Sequence, residues 1–188
     1  MRRFFVIPVS LVAALALGAC GGSGSAKATS TTTGQGAQAA GVTYKPAGAN
    51  PSVSAKMICE AEAQSDIADA IELKATRVTT PTWVDHLYSC AYVYPKGKIV
   101  LSVKELSDAN ETTAYFNSLA AKYGKRQTLN GLAQGAFLAP NDDVVARKDY
   151  KVLLVDVSGI PQNFEAASTR SDVAQNVASA ILQCWSGA

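Results

Sequence analysis

The chain changes character near residue 50, and that break constrains the fold more than any other feature. From Gly21 to about Asn50 it is almost entirely Gly, Ser, Thr, Ala and Gln; Lys27 and Lys45 are the only charges, and no aliphatic side chain is larger than Val42. Such a stretch cannot bury enough apolar surface to offset its ordering entropy. Folding therefore falls to residues 51–188, about 138 residues, which suffice for one core and one domain. The low-complexity stretch is expected to be a tether with an r.m.s. reach of roughly 30 Å. The run Thr29-Ser30-Thr31-Thr32-Thr33 could accept O-linked sugar, but a plain solvated linker is the simpler reading. With 48% hydrophobic and 17% charged residues overall, the chain is neither wholly disordered nor a polytopic membrane protein.

Ahead of the tether lies a second kind of segment. Met1-Arg2-Arg3 is a short cationic start, and Phe4 to Leu17 is an apolar run too short to cross a bilayer as an ordinary helix of about 20 residues. It reads as a secretory signal over residues 1–19. The following Leu17-Gly18-Ala19-Cys20 resembles the lipobox of bacterial lipoproteins. The resemblance implies a diacylglycerol thioether on the Cys20 sulfur and cleavage before that residue. Acyl chains bind at about 0.8 kcal/mol per buried CH₂, so two or three hold a protein durably. The expected division is signal peptide 1–19, lipidated N-terminus and tether 20–50, and globular domain 51–188, with the outer face of the cell membrane as partner and address. Formal charge is +2, and losing Arg2 and Arg3 would leave the signs balanced. A neutral mature chain argues against nucleic acid as a partner.

Within the domain the apolar pattern becomes periodic. Cys59, Ala63, Ile67, Ala70 and Ile71 share one stripe of a helix expected over 56–73, with Cys59 turned inward. Strands are expected at 87–94 and 99–106, joined as a hairpin by Pro95-Lys96-Gly97-Lys98. Asn110 is a candidate cap for a helix carrying Tyr115, Phe116, Leu119, Ala120 and Tyr123, ended by Gly124. That capping role is a simpler reading of Asn110-Glu111-Thr112 than a glycosylation sequon. Short strands at 137–139, 144–147 and 152–157, separated by turn residues, suggest an antiparallel meander. A last helix over 171–185, capped by Ser171, places Val173, Val177, Ala180, Ile181 and Cys184 on one stripe. Clustered rather than alternating strands predict an α+β fold, an antiparallel sheet of about five strands flanked by three helices in a single domain.

With Cys20 lipidated, Cys59, Cys90 and Cys184 remain. Export permits a disulfide, and an odd count leaves one thiol over. Cys59 with Cys90 is the preferred pair. It closes a loop of about 30 residues between neighbouring elements, worth roughly 3 kcal/mol by chain entropy. Cys59 with Cys184, joining first and last helices, is the rival; three core thiols is the bland alternative. The wide separations do not resemble a metal site, and no cofactor is implied.

Catalytic signals are sparse. The chain holds a single histidine, His86, with no sequence-level partner, and Ser158-Gly159 lacks the glycine two residues ahead of the serine that a nucleophile elbow needs. Gly131-Leu132-Ala133-Gln134-Gly135 has neither the phosphate-loop lysine nor the third glycine of a dinucleotide fingerprint, and reads as a loop. Asp142-Asp143 is expected to be a solvated turn, and Lys122, Lys125 and Arg126 to complement a helix dipole. Trp83, Tyr88, Tyr92 and Tyr94 are the candidate ligand-facing aromatics, the three tyrosines sharing one strand face with Cys90. The competing reading is that helices cover this face.

The lipobox, the Gly/Ser/Thr tether, Cys59 in the first helix, Cys90 in the first strand, and Gly131-Leu132 leading to Ala136-Phe137 ahead of a meander and closing helix together resemble the small lipoproteins of unknown function of mycobacteria and related actinobacteria. Cys184 departs from their two-cysteine pattern. The resemblance implies a location and a fold but transfers no catalytic residue. Two function readings follow. The first is a non-catalytic envelope module that binds a small molecule, lipid, glycan or protein partner. The second is a cell-wall-acting hydrolase whose acid and base meet only in the fold.

Overall fold

The computed structural model describes residues 45–165 and 168–185. Cys20, the signal and the tether up to residue 44 lie outside the described residues. The remainder is a single α+β domain with an antiparallel sheet and four helices, α1 (Val53–Met57), α2 (Ala61–Ile71), α3 (Ala109–Tyr123) and α4 (Arg170–Cys184).

The strands are β1 (Arg77–Val78), β2 (Thr82–Val84), β3 (Leu87–Tyr94), β4 (Gly97–Glu105), β5 (Gln127–Thr128), β6 (Gly135–Leu138), β7 (Val144–Lys148), β8 (Lys151–Asp156), β9 (Asn163–Glu165) and β10 (Ser168–Thr169). Eight of them form one sheet in the order β1-β3-β4-β8-β7-β6-β5, with β2 also on β3; β9 and β10 pair separately. The expected count of about five is corrected to eight. The additional sheet members β1, β2 and β5 are two or three residues long, too short for alternation to register in the sequence.

Side-chain alternation divides the sheet into two faces. On one, Cys90, Tyr92, Ile99, Leu101, Leu153, Val155, Val144 and Ala146 stand in register across β3, β4, β8 and β7. They form the main core with residues of α1, α2 and α4. On the other face, Phe137, Val145 and Val152 pack with Leu119 and the aromatic residues of α3. Helix α3 lies over β7 and β8, so β3 and β4 are left thinly covered on this side.

Two hairpins turn on left-handed pairs, Asp85-His86 (φ 50° and 58°) and Asp149-Tyr150 (φ 51° and 60°). Both have the I′ pattern that suits a two-residue connection between twisted strands.

Several local expectations are corrected. The helix expected over 56–73 is two helices, and Cys59 sits in the break between them. Carbonyls there are taken by side chains: Tyr92 Oη donates to Ile58 O at 2.7 Å and Gln64 Nε2 to Cys59 O at 2.9 Å. Asn110 is an early α3 residue, and Asp108 is the cap, accepting from Glu111 N at 2.8 Å while Glu111 accepts from Ser107 N. Gly124, at φ 80°, does end that helix. Ser171 likewise yields to Thr169, which forms a capping box with Asp172. The buried stripe of α4 is Val173, Ala174, Val177, Ala178, Ile181 and Leu182, with Ala180 and Cys184 only half-buried. Ahead of α1 the chain is bonded to the sheet. Ala47 N donates to Leu106 O at 3.0 Å, and the Trp83 indole donates to Ala49 O at 3.0 Å.

Candidate functional site

The strand face carrying the candidate aromatics is core. Tyr92 is 1% exposed and Tyr94 3%, so neither lines a surface, which corrects their reading as ligand-facing. Burial drives the Tyr92 hydroxyl proton well above its ordinary range and pushes Tyr94 up to about 12. Tyr94 meets Phe164 edge-on at 5.3 Å, and its hydroxyl has no hydrogen-bond partner among the described residues. Tyr88 is half-buried against the same core. Trp83, also half-buried, contacts His86 edge-on at 5.7 Å at the β2–β3 turn. The helices bury this face because the disulfide and the Tyr92 hydrogen bond draw the α1–α2 break down onto β3.

Cys59 and Cys90 form the disulfide, with Cα atoms 6.1 Å apart. Cys184 stands outside it, its Sγ 3.1 Å from Asp66 Oδ2, which removes the rival pairing with Cys59. The disulfide is compatible with an extracytoplasmic location. Among the described residues, no helix is long and apolar enough to cross a membrane.

Among the described residues, His86 and Ser158 are not brought together. His86 O accepts from Glu105 N at one end of β4, whereas Gly159 O accepts from Lys98 N at the other. At about 3.3 Å per residue the two ends are roughly 23 Å apart. Ser158 is bonded instead to Asp156, its Oγ 2.6 Å from Oδ1. Among the described residues, no three of His, Cys, Asp and Glu are grouped as metal ligands.

Asp142 and Asp143 overturn the expectation of a solvated turn, being 5% and 2% exposed. Arg126 Nη1 lies 2.7 Å from Asp142 Oδ1, and Arg170 Nη2 lies 3.1 Å from Oδ2. Burial raises the Asp142 proton affinity, but hydrogen bonds from Arg170, Gln162 and Arg126 outweigh it and hold the carboxyl below its ordinary range. Asp143 goes the other way. Burial, helped by the charge of Asp156, pushes it up to about 6 against hydrogen bonds from Val157 N and Asn141. Arg126 thus serves an ion pair, not a helix dipole. The cluster knots the β6–β7 turn to the start of α4 and the end of β8.

A concave site of mixed polar and apolar lining exists on the opposite sheet face. A recess of about 200 Å³ lies between α3 and the thinly covered strands. Its apolar lining comes from Leu87, Leu119, Val152 and Leu154, with the Ser102 hydroxyl among them and Tyr115 and Tyr123 from α3. Lys104 and Lys122 line it too. Lys104 Nζ lies 6.0 Å from the Tyr115 ring centroid and donates to the Asp85 carbonyl; Lys122 Nζ lies 4.9 Å from the Tyr123 ring. Burial raises the Tyr115 hydroxyl above its ordinary range, and neighbouring Tyr123 adds to this while Lys122 opposes it. Sequence reasoning did not reach this site, although the helical stripe Tyr115, Leu119, Tyr123 is half of its wall. Such a surface can bury an apolar group and answer negative charge beside it.

Comparisons with protein-family models, with curated proteins and with solved structures each found no match, so the fold and its recess stand on their own geometry.

Proposed function

We propose that this is an extracytoplasmic lipoprotein, anchored through Cys20 to the outer face of the cell membrane, whose domain is a binding module and not an enzyme. The observation that carries the binding role is the recess between α3 and the sheet, where apolar side chains adjoin two ammonium groups. The lipobox resemblance and the disulfide support the location.

The test is metabolic labelling with a radioactive fatty acid, followed by native mass spectrometry of detergent-extracted protein. The wild type should take up label, begin at Cys20 with a diacylglycerol mass, and retain a small-molecule ligand. Cys20→Ala should take up none and remain unprocessed or leave the membrane fraction. Unlabelled native protein that begins at Met1 would remove the anchor, and a domain that never carries ligand would remove the binding role.

A further inference from the structure

The recess is specific enough to name a class of ligand. Leu119 lies midway between Tyr115 and Tyr123 on α3, and those two rings start about 12 Å apart along the helix axis. Opposite them, Leu87, Val152 and Leu154 come from β3 and β8. The result is a groove with apolar side chains on both walls and polar tips among them. On the same sheet face, beyond the hydrogen-bonded Ser89–Ser102 pair, Ala91, Val93 and Val100 are only half-buried. Leu87, Leu119, Val152 and Leu154 offer apolar contact while Lys104 and Lys122 offer positive charge, so an amphiphile with an apolar chain and an anionic head matches the lining.

Charge is arranged along one edge of the groove. Lys104 and Lys122 both line it, and among the described residues neither has a carboxylate within 4.0 Å. Each instead lies near an aromatic ring, at 6.0 and 4.9 Å, so an incoming anion would gain their charge without breaking an ion pair. The described chain also enters the domain close by, since Ala47 N is bonded to Leu106 O, two residues beyond Lys104.

We infer that this groove takes the acyl chain of an anionic membrane lipid, with the headgroup met by the Lys104 and Lys122 ammonium groups. The inference rests on the binding-module reading and adds the ligand class to it. A neutral or zwitterionic lipid of the same chain length would bury the same hydrocarbon and forgo the charge.

The experiment uses the full chain reconstituted in phosphatidylcholine vesicles carrying one of two photoreactive probes. These are a diazirine-bearing monoacyl phosphatidic acid and its monoacyl phosphatidylcholine counterpart, identical in the tail. After illumination, mass spectrometry maps the adducts. The acidic probe should label peptides spanning 115–123 and 152–154 several-fold more than the zwitterionic one. Lys104→Gln/Lys122→Gln should remove most of that difference while leaving the thermal midpoint of the protein unchanged. Equal labelling of the groove by both probes would overturn recognition of the anion and leave the apolar binding site standing. Labelling confined to other peptides would overturn the groove as the site altogether. The Cys20 adduct is read from a different peptide in the same spectra, so failure of the anchor is seen separately.

Discussion

The hydroxyl of Tyr92 donates a 2.7 Å hydrogen bond to the carbonyl of Ile58, across the break between α1 and α2. Both residues are fully buried. That bond satisfies a carbonyl that a continuous helix would have paired with an amide one turn later, and it holds the break on the sheet. Tyr92→Phe keeps the ring and strands the carbonyl. A buried acceptor left without a partner costs about 1–3 kcal/mol. The variant should therefore lose that much stability in urea denaturation, with an unchanged slope.

The disulfide lies beside that bond. Reduction, or Cys59→Ser/Cys90→Ser, should lower stability by about 3.7 kcal/mol, the chain-entropy value for cysteines separated by 31 positions. Cys184→Ser should leave the disulfide intact, and peptide mapping under non-reducing conditions should recover Cys59 joined to Cys90. Recovery of Cys59 joined to Cys184 would overturn the pairing.

Gly97 and Gly159 are required by close backbone approach. A Cβ at Gly97, where φ is 138°, would stand 2.1 Å from Gly159 O, and one at Gly159 would stand 2.6 Å from Lys98 O. Neither neighbour is a flexible side-chain tip, so the backbone itself must shift. Unfavourable φ alone costs of order 1–3 kcal/mol. Gly97→Ala should exceed the low end of that range and lower the thermal midpoint by several degrees. Gly131→Ala is the control: its φ of 80° is also positive, but nothing lies within 4 Å, so only the conformational cost applies.

The two arginines on Asp142 should differ. The Arg126 side chain is 45% exposed and that of Arg170 is 17% exposed. Solvent screens the former, so Arg126→Gln should cost at most about 1 kcal/mol. Arg170→Gln leaves a buried carboxylate short of its better-shielded partner and should cost more. Chemical denaturation of both variants at neutral pH orders them.

Asp143 makes stability depend on pH in the less common direction for a carboxylate. Its folded pKa of about 6 exceeds the ordinary 3.8 of the unfolded chain, so the folded protein holds the proton more tightly. Its contribution is full below about pH 4 and is lost as pH rises through 6. Asp142, held low, contributes stability that is present at neutral pH and lost as pH falls below the ordinary carboxylate range. Asp143→Asn should flatten the change in thermal midpoint between pH 4.5 and 7.5. An unchanged profile would show that Asp143 does not titrate in this window.

Features set by neighbouring residues could be read directly. The alternation of β3, the Gly124 stop, the turn chemistry at Asp149-Tyr150 and the apolar face of α3 are each decided within a few residues, by pleat, backbone conformation and helical repeat. Helix capping is decided locally too, by Asp108 for α3 and Thr169 for α4. Each stands close to a neighbour of similar chemistry, Asn110 and Ser171, and Thr169 has an acidic residue three positions later.

Other features depend on residues that meet only when the sheet closes. Asp142 and Asp143 look like a wet turn until Arg126 and Arg170, 16 and 28 positions away, arrive beside them. The α1–α2 break needs the Tyr92 hydroxyl from the third strand.

The α+β class follows from composition and short-range pattern, because burial entropy and backbone periodicity act along the chain. Which cysteines join, which sheet face is sealed and where a groove opens are set by packing between distant segments. The return of β8 beside β4 puts α3 over β7 and β8, and the recess opens beside it, between that helix and β3 and β4.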